Sequence, residues 1–120
     1  MAPYNKALGA FGEQLAVDYL VRHQCTIVAR NVRMSHGEID IIADDGRELI
    51  FCEVKARTSI SHGYPEGAVD DRKSQHITLS AQAYLQREGI ERFWRIDIIS
   101  VLIDREQKKA HFRWFKNITV

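Results

Sequence analysis

Gly37-Glu38-Ile39-Asp40-Ile41-Ile42-Ala43, then Asp44-Asp45-Gly46, then Leu49-Ile50-Phe51-Cys52-Glu53-Val54-Lys55 is the stretch that decides the fold. Two short apolar runs flank an acidic turn that ends in glycine, the pattern of a β-hairpin with the glycine where a left-handed backbone is needed. Glu38–Ala43 is the first arm and Glu48–Lys55 the second. Strand side chains alternate between faces, so Glu53 and Lys55 share one face, roughly 6.6 Å apart along the strand. Phe51 belongs to that face, and Ile50, Cys52 and Val54 to the other. Pairing across the turn brings Asp40 near Glu53.

Two carboxylates that converge in a partly dry site cannot both stay ionised without a cation. Mg²⁺ suits such a pair. It takes hard oxygen ligands, uses one or two carboxylates, keeps several waters and binds phosphate. A metal held there can lower the pKa of a bound water and neutralise charge developing on a phosphodiester. Lys55 stands where it could hold the attacking water or stabilise the crowded phosphorus. A lone Glu-x-Lys in a strand is more often an ion pair on a solvated face. What sets this one apart is an aspartate inside the neighbouring apolar strand.

Outward from the hairpin, Leu8, Phe11, Gly12, Leu15, Ala16, Tyr19 and Leu20 recur at helical spacing and predict a helix over 6–23 with one apolar face. A strand is expected over 26–33. The Ser-, Gly- and Pro-containing stretch 58–67 reads as a loop. A second helix is expected from about Asp70 to Arg87, with Ile77, Ala81, Tyr84 and Leu85 inward and Gly89 ending it. Strands over 92–103 and 110–116 complete an order α-β-β-β-α-β-β.

The 120 residues suit a single α/β domain, 1–120, large enough to bury its own core. With 45% hydrophobic and 28% charged residues the chain has an ordinary globular composition. No apolar run is long enough for a membrane span, and no secretory or transit signature is visible, so the expected compartment is the cytoplasm. Cys25 and Cys52 lack metal-ligand spacing and are expected as free, buried thiols. A net charge of +1, from 17 basic against 16 acidic residues, excludes coating of nucleic acid by bulk charge but leaves room for a local basic groove. There is no Walker loop, GxGxxG or nucleophilic triad.

Gly37–Ala43 followed by Phe51-Cys52-Glu53-Val54-Lys55-Ala56-Arg57 resembles the PD-(D/E)XK nuclease superfamily. With Gly63-Tyr64-Pro65-Glu66-Gly67-Ala68-Val69, Lys73, Asn31-Val32-Arg33 and Arg95-Ile96-Asp97, the chain is similar, more closely, to the YraN-like family of bacterial proteins, regarded as related to archaeal Holliday-junction resolvases. The resemblance implies a restriction-endonuclease-like α-β-β-β-α-β core with a mixed central sheet. It implies Mg²⁺ or Mn²⁺ held by Asp40, Glu53 and the backbone carbonyl of Val54, with Lys55 as the catalytic lysine. Ile39 stands where the superfamily pattern has proline.

Glu13 lies about 20° from Leu20 on a helical wheel, at the edge of the apolar face. In the related resolvases a first-helix glutamate approaches the metal, so Glu13 is a candidate third carboxylate, with a solvated helix residue as the alternative. Lys73 continues the row of Ile77 and Ala81, and a cation in a first helical turn runs against the macrodipole. That conflict points to a phosphate contact, with a lysine that snorkels to solvent as the alternative. Arg30, Arg33, Arg57, Arg72 and Lys73 are the candidate nucleic-acid contacts. Asp97, alone in an apolar strand, reads as the structural partner of a buried cation, and His36 as a solvated residue beside the site. The expected activity is metal-dependent hydrolysis of phosphodiester bonds, on DNA rather than RNA and on branched or structured DNA in particular. The alternative is a binding module on a nuclease fold that has lost turnover. A homodimer is compatible with the sequence.

Overall fold

The computed structural model describes residues 6–58 and 71–118, with 71–74 described by their backbone alone. The elements are α1 (Lys6–Arg22), β1 (Thr26–Met34), β2 (Gly37–Asp44), β3 (Leu49–Arg57), α2 (Asp71–Glu88), β4 (Trp94–Asp104) and β5 (Lys109–Phe115). Every expected helix and strand is present, each end within two residues of its expected place. The expected loop 58–67 lies, apart from Thr58, outside the described residues.

The strands form one sheet in the order β1-β2-β3-β4-β5. β1–β2, β2–β3 and β4–β5 pair antiparallel, whereas β3 and β4 pair parallel, joined through α2. Such a crossover puts a helix on a sheet face. The result is a mixed sheet flanked by helices, compatible with the α-β-β-β-α-β core expected from the sequence.

The two faces are packed separately. Leu8, Ala16 and Leu20 of α1 cover Ile41, Ala43, Ile50, Cys52, Ile99 and Val101. Ile77, Ala81, Tyr84 and Leu85 of α2 cover Ile39, Ile42, Leu49, Phe51 and Ile96. β3 is therefore apolar on both faces and continuously buried from Leu49 to Cys52, as a strand with a parallel neighbour must be. Its burial relaxes at Glu53.

α1 approaches the sheet unusually closely at one point. A Cβ on Gly12 would stand 2.5 Å from that of Ala56. Only glycine lets the helix lie there, and the contact fixes the neighbouring Glu13 beside the end of β3. Phe11 departs from expectation. It is 54% exposed, because the α1 face that meets the sheet is centred on Leu8, Gly12, Ala16 and Leu20. Cys25 and Cys52 are buried free thiols, as expected. Among the described residues no helix is long and apolar enough to cross a membrane.

The turn between β2 and β3 is held by its own acids. Asp44 accepts from the Gly46 amide and Asp45 from those of Arg47 and Glu48, all at 2.8 Å. Gly46 has φ +93°, which is why glycine stands there. Arg92 grips Asp44 with both nitrogens, and Arg95 reaches Asp45, Glu48 and the fully buried Asp97. Asp97 also accepts from the Trp114 indole at 2.7 Å and the Asn117 amide at 2.8 Å. It is the partner of a buried arginine that the sequence suggested.

Candidate active site

The opposite, open end of the same hairpin carries the candidate site. The β2–β3 ladder runs from Asp44↔Leu49 to Ile41↔Cys52 and stops. One residue further, Asp40 replaces a backbone partner with its side chain. Its Oδ2 accepts the Val54 amide at 2.8 Å. The strand also turns about its axis here. Ile42 packs under α2, and so does Ile39 three residues earlier, whereas strict alternation would put them on opposite faces. Opposite Asp40 on β1, Asn31 takes φ +52°, a left-handed conformation that asparagine tolerates better than most residues. The N–H and C=O of one strand residue point to the same side. The Val54 carbonyl, the implied third ligand, is therefore turned toward the gap that β2 leaves.

Glu53 and Lys55 lie on one face of β3, as alternation requires, and their side chains meet at 2.6 Å. They are only 19% and 15% exposed, which rules out the solvated ion pair that a lone Glu-x-Lys would suggest. Asp40 and Glu53 line a common cleft of ≈ 180 Å³ with His36, Gly37, Glu38, His76, Ile77 and Ser80. Ser80 Oγ donates to the Gly37 carbonyl at 3.3 Å, fixing α2 over the start of β2.

Electrostatics single out Asp40. Burial pushes its carboxyl up to about 7, against the pull of the Val54 amide, and the carboxylates of Glu13, Glu53 and Glu38 push the same way. Glu13 is half-buried and raised too, first by burial and then by Glu38, with Arg30 and a hydrogen bond to Asn31 opposing. Glu13 thus lies near enough to act on Asp40, though it does not line the cleft that Asp40 and Glu53 share. Among the described residues, however, no three His, Cys, Asp or Glu side chains stand close enough to enclose a metal between them. Asp40, Glu53 and the Val54 carbonyl are the donors the geometry offers. Two carboxylates, a carbonyl and room for water are a fitting set for Mg²⁺ or Mn²⁺.

Arg33 is exposed on the β1–β2 rim, 3.9 Å from Glu38. Arg30 donates to Gln14 on α1. Arg57 is half-buried on the site's face of β3. The side chains of Arg72 and Lys73 lie outside the described residues. Sequence reasoning missed Glu38, His76 and Ser80. Glu38 is two residues from Asp40 and was legible as a neighbour. His76 and Ser80 are one helical turn apart on α2, but only the crossover brings them over β2.

Fold and cleft together define a mixed α/β protein with an acidic cleft where a central hairpin opens. Residues 12–101 match the model of the uncharacterised protein family UPF0102, a span that contains Glu13, Asp40, Glu53 and Lys55. The chain is 39% identical over 118 residues to a UPF0102 protein of Dehalococcoides mccartyi, covering 98% of this chain and 96% of that one. It is 44% identical over 102 residues to one of Geobacter metallireducens, covering 84% of each. It is 37% identical over 118 residues to one of Pelotomaculum thermopropionicum, covering 98% of each. The chain belongs to the UPF0102 family.

Proposed function

We propose that this protein is a metal-dependent endonuclease of the PD-(D/E)XK type that hydrolyses phosphodiester bonds in DNA. The observation that carries the proposal is Asp40. It is a carboxylate withdrawn from water, beside like charges, in the same cleft as Glu53, which pairs with the sheltered Lys55. The Val54 amide asks for an oxygen there but not for a charge, and an aspartate in that place opposes its own ionisation. Active sites are where such perturbed groups gather.

Asp40, Glu53 and the Val54 carbonyl would hold Mg²⁺ or Mn²⁺. Bound there, the ion supplies Lewis acidity and lowers the pKa of a coordinated water. The rest is the work of the chain. The Val54 amide holds the Asp40 carboxylate in one orientation. Glu53 holds the Lys55 ammonium on the cleft side of β3. From that position the amine donates to the attacking water or to the phosphate oxygen on which charge develops, a contact worth more in the transition state than before it. Ile77 and the helix behind it keep bulk water from one side of the cleft.

The test is a cleavage panel of single-stranded, duplex, flap and four-way-junction DNA, plus RNA, with Mg²⁺, Mn²⁺ or EDTA. The expected result is metal-dependent cleavage of at least one DNA substrate that fails with Lys55→Ala. Binding without cleavage in every metal would favour a module that does not turn over.

A further inference from the structure

α2 brings an imidazole to the cleft. His76, Ile77 and Ser80 line it from the helix, Gly37, Glu38 and Asp40 from β2, and Glu53 from β3. Two contacts fix how the helix lies there. Ile77 is buried in the core beneath α2, and the buried Ser80 donates to the Gly37 carbonyl. His76 directly precedes Ile77 and lies one helical turn before Ser80, so its ring is carried on a stretch of helix held at both points.

The cleft is rich in acceptors and poor in donors. Glu38, Asp40 and Glu53 bring three carboxylates to it. The side chains there with an N–H or O–H to give are His36, His76 and Ser80. The Ser80 hydroxyl is engaged by Gly37, and Nδ1 of His36 lies 3.4 Å from the Ser35 hydroxyl. His76 is exposed and makes no hydrogen bond or ion pair among the described residues. It also forms no three-residue cluster with Asp40 and Glu53 that could enclose a metal, since no such cluster exists among the described residues. His76 is therefore a donor open to an anion that enters the cleft, without being one of the groups that hold a cation there. A phosphodiester that approaches three carboxylates has need of such a donor.

We propose that His76 is a further catalytic residue, whose ring N–H donates to a non-bridging oxygen of the scissile phosphodiester. This rests on the nuclease reading for the identity of the anion. The contact strengthens as charge builds on that oxygen, which is what makes it worth more in the transition state than before it. Lys55 and His76 bring their donors from different elements, β3 and α2, so the phosphate is held between the sheet and the helix that crosses it. Neutral and cationic imidazole both carry an N–H, so the contact does not depend on which form is present.

The test compares wild type, His76→Ala and His76→Gln in three measurements on the full chain. The position is exposed and helical, so both variants are expected to melt with wild type in EDTA. In millimolar Mn²⁺ both keep whatever rise in melting temperature wild type shows, and a variant that loses it makes His76 a metal ligand and overturns the assignment. In single-turnover cleavage His76→Ala lowers the rate about a hundredfold, as loss of one transition-state donor does. Its affinity for the same DNA, with Ca²⁺ in place of Mg²⁺, changes much less, and His76→Gln, which retains an N–H, recovers part of the rate. An unchanged rate, or a loss carried entirely by affinity, overturns the catalytic role. The third measurement needs no turnover. The ring carbon–proton NMR signal of His76, identified by its absence from His76→Ala, is expected to move when DNA is added with Ca²⁺. The signal of His23, which packs against Tyr19 and Trp114, is the reference that stays in place. A shift of the His76 signal in a protein that never cleaves would uphold the phosphate contact and end the nuclease reading. A His76 signal indifferent to DNA overturns the contact, even if wild type cleaves.

Discussion

The two ends of the β2–β3 hairpin are both acidic, and chemically they are opposites. At the turn, Asp44, Asp45 and Glu48 meet Arg92 and Arg95. The Arg92 hydrogen bonds, helped by the Gly46 amide, hold the Asp44 carboxyl down at about 2, and the Glu48 amide holds Asp45 below its usual range. At the open end, burial and neighbouring carboxylates drive Asp40 up to about 7 and raise Glu13. One hairpin thus contains carboxylates that stabilise the fold and carboxylates that oppose it. Acid content does not separate them, but the number of hydrogen bonds and cations aimed at each carboxylate does. Groups left in conflict with the fold are the ones to examine for function.

The comparison is sharpened by substituting each end in turn. The largest effect belongs to activity at the open end. Glu53→Gln and Lys55→Ala are each expected to lower the cleavage rate by orders of magnitude in single-turnover assays, since each removes transition-state stabilisation. The largest effect on stability belongs to the turn end. Arg95→Ala leaves the fully buried Asp97 without its cation and frees Asp45 and Glu48, and is expected to cost about 3–5 kcal/mol in urea unfolding. A loss below about 1 kcal/mol would mean that the turn end is not held as described.

A smaller effect of opposite sign is expected at Asp40. A carboxyl raised from 3.8 to about 7 holds its proton more tightly folded than unfolded. Its favourable contribution is complete below pH 3.8, fades as pH rises toward 7 and is lost above. Asp40→Asn keeps an oxygen for the Val54 amide and removes the charge. In EDTA it is expected to be more stable than wild type by about 1–3 kcal/mol at pH 8, the gap closing as pH falls to about 4. Melts across that range would show it, and a variant that melts lower throughout would place Asp40 with the stabilising acids. Least affected is Asp44→Asn. Its ion pair is partly exposed, so the cost at neutral pH is expected to stay under about 1 kcal/mol. Because the Asp44 carboxyl is held low, wild type should keep this advantage above pH 3.8 and lose it toward pH 2 in acid unfolding.

How much of this was legible depended on whether the signal was local. Element order and both helix cores follow from apolar period, and the hairpin register follows from its turn, so Asp40, Glu53 and Lys55 could be placed together from sequence. Asp97 was readable because a lone acid in an apolar strand needs a partner. The departure of β2 at Asp40 was not readable. A slip in alternation between Ile39 and Ile42 leaves the apolar pattern unchanged. The spacing of Phe11 fits the core, but the close approach at Gly12 tilts the buried stripe away from it. His76 joined the cleft through a crossover, which no local pattern records.

The central claim is that the open end of the hairpin is destabilised because it awaits a divalent cation. The most direct measurement is the melting temperature of wild type at neutral pH in EDTA and in millimolar Mn²⁺, with Asp40→Asn in parallel. A ligand that binds only the folded state at about a hundred times its dissociation constant adds about 2.7 kcal/mol. The account predicts that Mn²⁺ raises the wild-type melting temperature by several degrees and that Asp40→Asn, already higher in EDTA, gains much less. A wild type indifferent to Mn²⁺, or a variant that gains as much as wild type, would contradict it.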